Sequence, residues 1–163
     1  MKILRAISVR AAAFVVAIII ALSFTIGRNV YVYRQAHFAD AALMGRFSRM
    51  KVLYFLGVDV NAPSCPYRNC FNPIWGAAYG GFDDEVRFLL DRGSDVNLKT
   101  NFRSSPLMAA SFAGHDSTVR LLLSRGADVN ADRDGDTALT YARDKRHSGI
   151  VGLLQRAGAK DAP

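Results

Sequence analysis

"GADVN" at Gly126–Asn130 restates two earlier phrases, "GVDVN" at Gly57–Asn61 and "GSDVN" at Gly93–Asn97. A phrase recurring at a near-constant interval marks a structural unit rather than an isolated site. The leading glycines stand at 57, 93 and 126, and Gly158 continues the series, in steps of 36, 33 and 32 residues. The surrounding sequence realigns in the same register. An apolar triplet lies just before each glycine: "VLY" at Val52–Tyr54, "FLL" at Phe88–Leu90, "LLL" at Leu121–Leu123 and "LLQ" at Leu153–Gln155. Earlier in each unit comes a slot of paired small residues, Ala41 and Ala42, Ala77 and Ala78, Ala110 and Ser111, then Ala142 followed by Arg143.

Each unit reads as two short helices. The first opens on a capping residue, Asn72, Ser105 or Thr137, followed in two cases by proline at the first helical position, where its missing N–H is not needed. Alanines on its face allow close helix approach. The second helix carries apolar residues at helical spacing, such as Val119, Leu122 and Leu123, and stops at a glycine suited to a left-handed C-cap. "DVN" then leads into a turn.

With "SPLMAASFAGH" at Ser105–His115 and "VRLLLSRGADVNA" at Val119–Ala131, this unit resembles the ankyrin repeat, over roughly Ala36–Lys160. The resemblance implies an all-α solenoid of about four helix-turn-helix units with short projecting hairpin turns. The units fall at about 36–62, 63–98, 99–131 and 132–160, within a repeat domain at 36–163. The family's Thr-Pro-Leu-His phrase appears here as "NPIW", "SPLM" and "TALT", so its histidine is absent. The usual hairpin glycine survives only at Gly135, with Cys70 and Arg103 in its place elsewhere.

Half of the 163 residues are apolar, enough for a continuous core. Such units cannot bury their own faces alone, and about three must stack. Arg143, Gln155 and Arg156 make the last unit polar where it would face water, as a terminal cap requires. The formal charge of +7 is unevenly placed. Residues 1–35 hold five basic groups and no acid, leaving 16 basic and 14 acidic groups beyond them. A nucleic-acid binder concentrates cations on its recognition face, so no nucleic-acid partner is expected.

Residues 11–27, "AAAFVVAIIIALSFTIG", form an uncharged run of 17. As a helix the run spans about 25 Å, close to the short limit for hydrocarbon about 30 Å thick. It reads either as a transmembrane anchor, extended by Ile7–Val9, or as a signal helix cleaved near Ala21–Ser23. A uniformly apolar run excludes an amphipathic surface helix. Lys2, Arg5, Arg10 and the amino terminus precede it, against Arg28 and Arg34 behind, so the amino terminus is expected on the cytoplasmic side. The anchor reading makes a single-pass inner-membrane protein, joined by a short linker at 28–35 to repeats that face the periplasm. The signal reading makes a soluble periplasmic protein.

Both cysteines lie in the first inter-repeat connection, "NAPSCPYRNCFNP" at 61–73, three residues longer than "NLKTNFRSSP" at 97–106. In an oxidising compartment Cys65 and Cys70 are expected to pair, limiting the unfolded freedom of the finger by roughly 2 kcal/mol. The alternatives are two free thiols, or half a zinc site, which normally needs four ligands. No metal or cofactor is expected. Neither is catalysis: His115 and His147 share one repeat slot, and so do Asp59, Asp95 and Asp128, which marks them as architecture. His37 stands at the entry of the first helix, and the lone glutamate is Glu85. No nucleophile with a positioned base emerges, so the protein is not expected to be an enzyme.

In proteins the chain resembles, partners dock on the concave side, at hairpin tips and at exposed positions near the end of each first helix. Those positions are Leu43 and Met44, Tyr79 and Gly80, Phe112 and Ala113, Asp144 and Lys145. The resemblance therefore implies a protein-binding face at Tyr79 and Phe112, flanked by Phe71, Phe102, Arg68 and Arg133 from the hairpins. Aromatics and arginine dominate interface energetics. The alternative is that some rings pack inward, filling space left by Gly80, Ala113 and the missing histidines. The expected function is a membrane-tethered interaction module that binds, assembles or inhibits a protein partner, with no small-molecule substrate. Two alternatives are a structural subunit whose span drives assembly, given small residues at Ala13 and Ala17, and a periplasmic immunity or accessory factor.

Overall fold

The computed structural model describes residues 27, 30, 33–65 and 70–160. Except for Gly27, the apolar run at 11–27 lies outside the described residues, and Arg68 does too. Among the described residues no helix is long and apolar enough to cross a membrane. The chain divides after Arg34, and the following unit is built from helix pairs.

The pairs are α1 (residues 35–43 of this unit) with α2 (Phe47–Phe55), α3 (Pro73–Gly80) with α4 (Asp83–Asp91), α5 (Pro106–Ala113) with α6 (Asp116–Ser124), and α7 (Ala138–Asp144) with α8 (Ser148–Arg156). Helices α3, α5 and α7 stack in an inner layer, and α4, α6 and α8 in an outer one. A two-residue ribbon, β1 (Asp132–Arg133) against β2 (Asp136–Thr137), forms the third hairpin, with Arg133 opposite Asp136. Among the described residues the first hairpin shows the Ser64–Phe71 bridge, and just inside it Cys65 and Cys70 are joined by a disulfide.

The inner helices start where the capping residues stand. The side chains of Asn72, Ser105 and Thr137 accept the backbone N–H of Trp75, Met108 and Thr140 at 2.9, 3.2 and 3.2 Å. Each bond satisfies a donor that has no partner in the first helical turn. Ala41, Ala42, Ala77, Ala78, Ala110 and Ala142 are fully or almost fully buried, so the small-residue slot is the contact line of the inner layer. Arg143, at the end of that line, is exposed. The middle residue of each later triplet, Leu89, Leu122 or Leu154, is fully buried, whereas Leu53 is half-buried. The repeat glycines all hold positive φ, between 82° at Gly57 and 90° at Gly158, the left-handed geometry that ends each outer helix.

The DVN phrase is a ladder between units. Asp59, Asp95 and Asp128 each accept the N–H two residues on, at 2.9, 2.8 and 3.0 Å, tightening their own turns. Each asparagine then reaches forward. Asn61 Oδ1 accepts the Asp95 N–H at 3.1 Å, Asn97 Oδ1 that of Asp128 at 2.8 Å, and Asn130 Oδ1 that of Lys160 at 2.8 Å. The phrase recurs because every inter-unit step needs the same bond.

The shared histidine slot is structural in the same sense. His115 Nε2 donates to the Tyr79 carbonyl at 3.0 Å, and His147 Nε2 to the Phe112 carbonyl at 3.3 Å. Each imidazole thus closes the carbonyl end of the preceding unit's inner helix. The second hairpin is held without its glycine. Arg103 adopts φ 61°, the Arg103 N–H donates to the Thr100 carbonyl at 2.9 Å, and the Arg103 guanidinium meets Asp134 of the next hairpin at 2.7 Å.

Candidate partner-binding face

Trp75 and Tyr79 are one turn apart on α3, so both project from the same side of the inner layer. Their rings stack with centroids 5.3 Å apart and planes within 9°. Tyr79 continues to Phe112 on α5 at 6.4 Å, and Phe112 to Tyr141 on α7 at 5.8 Å, edge to face. Phe102, on the second hairpin, sets its edge against Trp75 at 5.5 Å. The result is an aromatic row across three units. The rings, with Ser104, Met108, Ala109 and Arg133, surround a hollow of about 150 Å³.

Its polar groups are few and oriented. The indole N–H of Trp75 donates to Ser104 Oγ at 3.0 Å. Arg133 donates to the Tyr141 hydroxyl at 3.1 Å, which in turn donates to Asp136 at 3.2 Å. Burial raises the Tyr141 phenol above its ordinary range, with the Arg133 charge opposing, so Tyr141 stays a neutral donor at physiological pH. Arg133 also lies over Phe102, 5.6 Å from its centroid, and the Lys145 ammonium lies 4.3 Å over Phe112. Cations held against ring faces leave an apolar floor with a positive rim.

Four of the expected residues, Tyr79, Phe102, Phe112 and Arg133, meet on this face. Tyr79 is 41% exposed and Phe112 37%. Phe71 corrects the expectation: it is buried, its ring tilted against Trp75 at 6.2 Å, and it supports the row from beneath. Arg68 lies outside the described residues. Inward packing of Tyr79 is replaced by another ring, since Phe82 occupies the space beside Gly80, where a Cβ would collide with it.

Trp75 and Tyr141 escape the sequence reading. Trp75 stands in the slot of the absent histidine, and its spacing of four from Tyr79 was the available signal. The same slot elsewhere serves local capping: Met108 Sδ accepts the Ser105 N–H at 3.4 Å, and Thr140 Oγ1 that of Thr137 at 2.7 Å. Tyr141 carries no such signal, because Gly76 and Ala109 hold its position in the preceding units.

A search of curated proteins finds no match to the chain. The model for ankyrin repeats (three copies) matches residues 74–161, more than half of the 163-residue chain. Paired helices, projecting hairpins and a forward asparagine ladder agree with that match: the chain belongs to the ankyrin-repeat family, whose repeats serve as protein–protein interaction modules.

Proposed function

We propose that the protein is a membrane-tethered ankyrin module that holds a protein partner on the aromatic face, at the outer surface of the inner membrane. The observation that carries the binding site is the continuous row Trp75–Tyr79–Phe112–Tyr141, with Lys145 over Phe112 and Arg133 donating to the Tyr141 hydroxyl. Large rings partly open to water, arranged around a shallow hollow with a cationic rim, have the composition of an interface hot spot. The hollow suits one aromatic or branched side chain, and the rim favours acidic neighbours on the partner. Tethering is supported by the apolar run at 11–27 and its flanking cations. The Cys65–Cys70 bridge supports an oxidising side for the repeats.

Proximity capture with the full chain identifies the partner, and purified variants then test the face. Losing a hot-spot ring costs 2 kcal/mol or more, so Tyr79→Ala and Phe112→Ala should each weaken binding at least about thirtyfold. Their thermal stability should fall by less than about 1.5 kcal/mol, the scale of an aromatic pair. Arg120→Ala, on the outer layer, should bind as the parent does. Normal binding by both ring variants would remove this face as the site.

A further inference from the structure

We propose that the exposed face of the first unit rests on an anionic lipid surface. In later units, the side of the outer helix turned toward the preceding unit is covered. Phe88 on α4 meets Phe47 and Tyr54 at 5.6 and 5.5 Å, Thr118 on α6 donates to Asp83 at 2.6 Å, and Leu153 on α8 is buried. The register equivalents on α2 are Val52, in the slot of Phe88 and Leu153, and Arg49, in the slot of Thr118. Both are exposed. The next positions depart further from the repeat. Where later units carry Asp91, Ser124 and Arg156, α2 carries Phe55, 76% exposed, and where they carry Arg92, Arg125 and Ala157, Leu56 follows at 50%. Apolar residues stand at positions that the rest of the array keeps mainly polar.

Charge identifies the occupant. Residues 36–57 hold Arg46, Arg49 and Lys51 against the single acid Asp40, whereas residues 58–163 hold 13 groups of each sign. Residues 43–57, the stretch with the exposed apolar side chains, thus hold three cations and no acid, and Asp59 brings the first unit as a whole to a net charge of +1. Arg46 and Arg49 are exposed, while Lys51, its ammonium 4.0 Å over Phe47, lines with Phe55 a hollow shared with Asp84 and Asp91 of α4. Phe, Leu and Val beside cations are what a headgroup interface selects: apolar groups enter the acyl boundary while the cations meet lipid phosphates. A second copy in a two-fold contact would set these cations against themselves. The proposal rests on the tethered reading, which puts this unit next after the apolar run.

The test uses the full chain in vesicles containing lipids brominated high on the acyl chain. It compares Phe55→Trp with Ser124→Trp, the same slot two units on, with Trp75 as a constant background. In anionic vesicles, tryptophan at 55 should be quenched at least about twofold more than at 124, because the apolar side of an interfacial helix reaches the acyl boundary. The difference should shrink in zwitterionic vesicles and with Arg46→Glu plus Arg49→Glu. Equal quenching at both positions overturns the proposal, as does a cross-linked dimer in which tryptophan at 55 is shielded from lipid. Alkaline extraction reads the tether separately. If extraction releases the chain, the tether falls, and quenching on anionic vesicles still decides the face.

Discussion

The outer helices of the first and third units, α2 and α6, have the same length and register but opposite surroundings. In α6, Leu122 is fully buried and Val119 with it, because α4 packs on one side and α8 on the other. In α2, Leu53 is half-buried, while Val52, Phe55 and Leu56 are open. Helix propensity does not separate them. What differs is the neighbour, which in a repeat array supplies much of each unit's stability.

The largest expected effect tests that difference directly. Leu122→Ala should cost about 2–5 kcal/mol in chemical denaturation, the range for emptying a packed leucine site. Leu53→Ala, in the same slot, should cost under about 2 kcal/mol, since part of the side chain is already in water. Equal losses would mean that the first unit is covered after all.

A smaller effect concerns the inner layer. Ser111 Oγ is buried without a hydrogen-bond partner, in the slot that Ala42 and Ala78 fill in the first two units. Ser111→Ala should therefore stabilise the third unit by about 1 kcal/mol, the lower end of the cost of an unsatisfied buried group. A drop in melting temperature would show that the hydroxyl is satisfied in solution.

The smallest effect is one of pH. Glu85 shares the slot of exposed Arg49 but is buried between units, and burial raises its carboxyl above the ordinary 4.5, with Lys51 pulling it back. A raised folded value favours the protonated form, so the stability it supports is present below about pH 4.5 and lost as pH climbs through the folded value. Glu85→Gln should thus melt higher than the parent near neutral pH, with the gap closing in acid. A pH-independent gap would assign the effect to packing instead.

Much of the fold was legible because the repeat reports each contact several times. The glycine C-caps, the capping residues and the buried small-residue line all follow from recurrence, and the array's own register places them. The candidate face was legible only where it coincided with variable slots: Tyr79 and Phe112 stand out because they differ from Leu43 and Asp144 in otherwise constant helices. Trp75 was hidden in a phrase normally read for capping. Phe71 departs from the expectation because its hairpin position in the resemblance implies a projecting ring, whereas the ring is buried against Trp75. The open side of α2 was visible in principle, since Phe55 and Leu56 interrupt a mainly polar column, yet a signal from the edge of an array has no second copy to confirm it.

The asparagine ladder has a consequence for how such a chain can change over generations. Each asparagine Oδ1 accepts a backbone N–H one unit ahead, and Asn97 and Asn130 also donate to the Gly126 and Gly158 carbonyls. Apart from the Ser94 hydroxyl that Asn61 accepts, the rungs therefore recognise distance along the chain and not the identity of the unit they meet. Excising residues 98–130 would set Asn97 where Asn130 stood, against Lys160, with no bond lost from the rungs that remain. Duplication or loss of a whole unit is therefore a quiet event, while a single-residue slip inside a helix is not. The connections escape that constraint: 61–73 is three residues longer than 97–106, and it alone carries the cysteine pair. Inheritance by whole units thus sets the number of repeats, and small insertions at the hairpins are left to diversify what the array can grip.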